Sequence, residues 1–164
     1  MPRTGSRELS ARLLSALVFC VAATATHAQE PEHRLIEPGA AGSALATARA
    51  LLGHLAAGKI EQAAALSNAP QRRYEVLRDY RASVGQEEFK RVFAQYLRPE
   101  NRVIAEFALG PRRLLIWELG DARRHLAGQY YVEVNDGVFL MDDLPSDERS
   151  KLQRVLETYR KERK

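Results

Sequence analysis

The sequence predicts an α+β fold, with N-terminal helices packed on one face of a curved antiparallel meander of about four strands, and a C-terminal helix. Three observations predict it. Apolar residues recur at spacings of three and four up to Leu97. Beyond Arg98-Pro99 the period changes to two, with turn signals between short runs. After Ser146 the helical spacing returns.

The elements follow in order. Residues 29–42 carry Pro31, Pro38, Gly39 and Gly42 without periodicity and read as a flexible leader, so the domain is expected over residues 43–164. Ser43 is the expected N-cap of a first helix, whose Leu45, Ala48, Leu52 and Leu55 share one face. Gly58-Lys59 ends it, and Ile60 to Leu66 gives a short second helix, broken by Asn68-Ala69-Pro70. Tyr74, Leu77, Tyr80 and Val84 stripe a third helix from Gln71 to Val84, and Gly85 interrupts. Phe89, Val92, Phe93, Tyr96 and Leu97 stripe a fourth, from Gln86 to Leu97.

Val103, Ala105, Phe107 and Leu109 then alternate with Ile104, Glu106 and Ala108, as in a strand ending at the Gly110-Pro111 turn. Leu114 to Leu119 is apolar on both faces apart from Glu118, which predicts a central strand. His125 to Val134 alternates again, and Asn135-Asp136-Gly137 signals a hairpin to Val138–Met141. Ser146 caps the last helix. Asp147 and Glu148 sit at its positive end, Arg160, Lys161, Arg163 and Lys164 at its negative end, and Leu152, Val155, Leu156 and Tyr159 form its stripe.

The first 28 residues read as a cleaved signal peptide. Arg3, Arg7 and Arg12 precede an apolar run of 13 residues, Leu13 to Ala25, and Thr26-His27-Ala28 supplies small residues before the cut. A membrane span needs about 20 residues, so no stable span is expected after cleavage. Phe19 stands directly before Cys20, which argues against a lipoprotein signal. No Arg-Arg pair precedes the run, so the general secretory route to the periplasm or the exterior is expected.

Cleavage leaves 136 residues with 22 basic and 20 acidic side chains, a net charge of +2 against +4 for the whole chain. That balance, with the expected compartment, argues against a nucleic-acid partner. The sole cysteine, Cys20, leaves with the signal, and with it any thiol nucleophile, disulfide or thiolate metal site.

The segment Ala48-x-x-Leu51-Leu52-x-x-Leu55-Ala56-Ala57-Gly58-Lys59-Ile60-x-x-Ala63, and the late strand Gly137-Val138-Phe139-Leu140-Met141 leading into Asp142-Asp143, resemble the nuclear-transport-factor-2-like (cystatin-like roll) superfamily. The resemblance covers about a third of the expected mature chain. It implies a helix-wrapped curved sheet. The chain departs from that pattern in lacking a strand between its second and third helices and in adding a C-terminal helix. In general style it also resembles small exported bacterial proteins of unknown function. The superfamily holds isomerases, dehydratases and non-catalytic binding modules, so the resemblance implies no single activity.

Residue chemistry leaves two carboxylates as acid-base candidates. Glu106 lies mid-strand, where burial would raise its pKa, and the alternative is the solvent face of an edge strand. Asp142 ends the last strand, at a pocket mouth or in a polar bend. Isomerase-like relatives set a carboxylate base against a hydrogen-bond donor, often Tyr, but no spacing here pairs a particular Tyr with an acid. Tyr74, Trp117, Tyr130 and Tyr131 are the candidate ligand-binding aromatics. His33, His54 and His125 lack partners at metal-ligand spacing, so no metal is expected, and no motif calls for a cofactor. Arg112-Arg113 and Arg123-Arg124 open consecutive antiparallel strands, which sets them roughly 25 Å apart and argues against a shared anion cradle.

The leading expectation is an exported, non-catalytic module that binds a small apolar ligand or an envelope protein. The alternative is an isomerase- or dehydratase-like enzyme using Glu106 or Asp142 in an aromatic cavity. A third reading has the basic final helix dock on a partner in an assembly role. The oligomeric state is left open.

Overall fold

The structure, a computed structural model, describes residues 32–120 and 124–163. The expected signal peptide, the first residues of the leader and Arg123 lie outside the described residues. Five strands form one antiparallel sheet in sequence order: β1 (Arg34–Ile36), β2 (Arg102–Leu109), β3 (Arg112–Leu119), β4 (His125–Asn135) and β5 (Val138–Met141). Four helices precede β2: α1 (Leu45–Ala56), α2 (Ile60–Ala64), α3 (Pro70–Val84) and α4 (Gln86–Ala94), the last running into a 3-10 turn at Gln95–Leu97. Helix α5 (Asp147–Glu162) closes the fold. No helix among the described residues is long and apolar enough to cross a membrane.

Local chemistry accounts for the boundaries. Pro70 opens α3, where its missing N–H costs nothing. Gly85 has φ 85°, a left-handed conformation that a side chain would strain, and there α3 stops and α4 starts. Ser146 Oγ accepts from the Arg149 N–H and caps α5.

Two expectations are corrected. Within the segment read as flexible leader, Arg34–Ile36 pairs antiparallel with β2, so the sheet has a fifth strand. The helices also cover both faces of the sheet. On one face, Leu45, Ala48, Leu51, Leu52 and Leu55 of α1 join Ile60, Leu77 and Phe89 over Leu115, Trp117, Leu119, Tyr131 and Phe139. On the other, Leu152 and Leu156 of α5 cover Ala105, Leu109, Leu114 and Ile116. The two-sided apolar run of β3 is the middle layer between them.

Strand β2 carries a bulge between Val103 and Ala105. The extra residue reverses the alternation at that point. Val103 therefore packs with the α1-side core, whereas Ala105 packs under α5. From there Glu106 and Ala108 face the α1 side, and Phe107 and Leu109 face α5.

Candidate functional site

Glu106 is fully buried, and its strand is flanked by β1 and β3, which corrects the edge-strand alternative. The Ser43 hydroxyl donates to its Oε2 (2.5 Å), and the Ala44 N–H donates to Oε1 (2.8 Å). Ser43 Oγ in turn accepts from the Gly39 and Leu45 N–H groups. The carboxylate therefore closes the positive end of α1 from strand β2, on the same side of the sheet. Burial pushes the Glu106 carboxyl above its ordinary range, against the pull of Ser43, Ala44 and the Arg113 guanidinium. Arg113 is itself buried. It donates to Gly42 O (2.9 Å) and Gly110 O (2.9 Å), and its guanidinium lies 5.1 Å from the Phe139 ring centroid.

Asp142 is also buried and engaged. Asn68 Nδ2 donates to Oδ1 (2.8 Å) and Arg112 Nε to Oδ2 (3.0 Å). Beside it, Asp143 accepts from Arg73 and from the Ser67 hydroxyl (2.6 Å). Met141 N–H donates to Leu66 O (2.7 Å), and Asn68 N–H to Met141 O (3.0 Å). These bonds clamp the end of β5 to the α2–α3 connection. They give the Asp142-Asp143 pair a structural task.

The four candidate aromatics do not converge. Tyr74 is half-buried on α3 against the α1-side core. Tyr130 and Tyr131 are consecutive on β4 and point to opposite faces. Tyr130 lies under Arg149 of α5, 5.3 Å from guanidinium to ring centroid. Tyr131 is buried on the other side, and burial pushes its phenol above the ordinary range. Its hydroxyl donates to Gln129 Oε1 (3.1 Å), which also accepts from Trp117 Nε1 (2.8 Å).

Of the four, Trp117 alone lines one of the four cavities described below. That cavity, of about 480 Å³, opens between α1, the 3-10 turn and the start of β2. Pro38, Leu45, Tyr96, Leu97, Pro99, Val103 and Trp117 form its apolar walls, with Arg49, Arg98, Asn101 and Arg102 as its polar lining. Tyr96 meets Trp117 edge to face at 5.4 Å between centroids, and burial raises the pKa of its phenol. The loop beneath is pinned: Asn101 Nδ2 donates to Gln95 O (2.6 Å), and Asn101 Oδ1 accepts from the Gly120 N–H (3.0 Å). The Arg98–Asn101 loop is not among the candidate residues, and Tyr96 enters the sequence reading only as one of several possible hydrogen-bond donors. The signal for them was the aromatic stripe ending directly before Arg98-Pro99, where a helix must stop and expose its last turn.

Three other cavities lie elsewhere. One of about 490 Å³ runs between α5 and the β1–β2 edge, past His33, Phe107, Lys151 and Tyr159. One of about 360 Å³ lies between the starts of α3 and α5, with Arg72, Arg73, Asp143 and Arg149. One of about 650 Å³ is lined by Glu118, Arg124, His125, Leu126, Arg160 and Arg163. Neither Glu106 nor Asp142 lines any of the four. Among the described residues no group of three or more His, Cys, Asp or Glu side chains is placed to hold a metal ion. Arg112 and Arg124 lie at opposite ends of the β3–β4 hairpin, each engaged locally, Arg112 with Asp142 and Arg124 with Glu118.

Comparison with protein-family models, with curated proteins and with solved structures finds no match to this chain.

Proposed function

We propose that the protein is an exported, non-catalytic module that binds a small apolar ligand in the Trp117 cavity. The observation that carries this reading is the cavity itself. Its 480 Å³ falls within the range of about 300–1,000 Å³ usual for small-molecule sites, and its lining sets Leu45, Tyr96, Val103 and Trp117 beside three arginines and Asn101, as much polar as apolar. The enzyme alternative needs an acid at a cavity. Glu106 and Asp142 instead spend their oxygens on Ser43, Ala44, Asn68 and Arg112. Kinship with the nuclear-transport-factor-2-like group remains part of the proposal and rests on the residues that form α1, α2 and β5.

Trp117 is the only tryptophan of the chain, so its emission reports on this cavity without labelling. Titration with the neutral probe N-phenyl-1-naphthylamine is expected to quench it saturably at one site per chain. A linear, unsaturable response would overturn the reading. Export is tested separately: the N-terminal sequence of protein recovered from outside the cytoplasm is expected to begin at Gln29.

A further inference from the structure

We infer that the ligand of the Trp117 cavity carries an oxyanion head group, of the carboxylate or sulfonate class, held at the mouth by Arg49 and Arg98. The inference rests on the cavity reading above and adds the ligand's chemistry to it. Arg49 projects from α1, one helical turn after Leu45, and Arg98 from the turn that follows Leu97. Both are exposed, and neither guanidinium has a partner among the described residues. Arg102 adds a third positive charge at the rim, with only a 4.0 Å approach to Glu118. Among the described residues no carboxylate lines the cavity.

The three formal charges lie at the mouth, among the exposed Leu97 and Pro99, while the buried part of the lining is Leu45, Trp117 and Asn101. Leu45 and Trp117 are buried at the floor, Tyr96 and Val103 are half-buried, and the guanidiniums stand in solvent. An amphiphile fits that arrangement in one orientation only, tail inward and anion outward. Burying the tail supplies affinity and the guanidinium fork, by pairing its N–H groups with two oxygens, supplies recognition of the oxyanion head.

The other arginine-lined cavities lack this combination. In the α3–α5 groove, Arg73 is neutralised by Asp143, which lines the same groove. In the groove beside β4, Arg124 is held by Glu118 and Arg160 donates to Leu126 O (2.7 Å). Between α5 and β1, Glu32 and Glu162 line the space with Lys151 and Arg154.

The test uses two probes with one skeleton. 1-Anilinonaphthalene-8-sulfonate differs from N-phenyl-1-naphthylamine by the sulfonate alone. Followed by Trp117 emission at low ionic strength, the sulfonate is expected to bind roughly tenfold tighter, at about threefold per solvent-exposed charge contact. That advantage should vanish as salt approaches about 1 M, where the screening length is a few ångströms. Arg49→Gln and Arg98→Gln should each weaken the sulfonate about threefold relative to the neutral probe. Arg78→Gln, an exposed change on α3 away from the cavity, should alter neither. If the neutral probe binds but the sulfonate gains nothing, or keeps its gain in the double variant, the head-group assignment is overturned and the cavity reading stands. If neither probe saturates, both fall together.

Discussion

Glu106 shows how one buried carboxylate couples a sheet to a helix. Its raised pKa means that folding favours the protonated form. Its contribution to stability is therefore full below the ordinary carboxylate range and is lost as pH rises through the folded-state value. Glu106→Gln removes that titration and keeps the side chain's shape. Thermal melts of both proteins from about pH 4 to about pH 8 should show the wild type losing ground to the variant as pH rises, and a constant difference would contradict the assignment. Gln129 is a second residue of this kind, because one oxygen serves both Trp117 Nε1 and the Tyr131 hydroxyl. Gln129→Leu strands two buried donors and should cost about 2–4 kcal/mol in urea unfolding. Burial with a raised pKa was one of the two readings open for Glu106, and nothing in the sequence pointed to Gln129. Glu106 reads as a polar position on an alternating strand, and only the bulge at Val103/Ala105 and the cover supplied by β1 decide where its side chain goes.

Among the elements, α5 and the end of β5 depend most on specific contacts. Gly128 of β4 lies beneath α5, where an added Cβ would come within 2.5 Å of Leu156 Cδ2 and 3.2 Å of Leu114 Cδ1. Gly128→Ala should therefore destabilise by about 1–3 kcal/mol, and pairing it with Leu156→Ala should cost less than the sum of the two single changes in chemical denaturation. At the β5 clamp, Asp142→Ala leaves Arg112 and Asn68 without their shared acceptor. About 3 kcal/mol is the expected loss, again by denaturant midpoint. The regular elements were readable because each repeats its period several times: the stripe of α1, the alternation of β4 and the Asn135-Asp136-Gly137 turn all lie where the pattern puts them. Strand β1 escaped because three residues beside Pro38 and Gly39 cannot display a period. The position of α5 was half visible. A strand apolar on both faces, as Leu114–Leu119 is, needs cover on both, and the C-terminal stripe is the only apolar face left to supply it.

Over the whole molecule, the sheet is a shared wall between two cores, one under α1–α4 and one under α5. Because Leu115, Trp117 and Leu119 face one core while Leu114 and Ile116 face the other, neither core can open without disturbing β3. Unfolding should be a single cooperative event. Trp117 emission, which reports the α1 side, and far-ultraviolet circular dichroism, to which α5 contributes, should give coincident urea transitions. A separate early loss of helical signal would mean that α5 detaches independently. The Trp117 cavity was visible in the sequence only as an aromatic and an arginine at a helix stop. Its other walls come from α1 and from β2 and β3, which only the folded chain brings together.

Strand β1 has one further consequence, which concerns time. Arg34 pairs with Ala108, so the first strand among the described residues has no partner until all four α1–α4 helices and most of β2 have followed it. Every other strand pair is a neighbour in the chain and can zip as it emerges. The long loop that β1 must close is the slow step by topology. The edge of the sheet is therefore finished last, by the part of the domain that was made first.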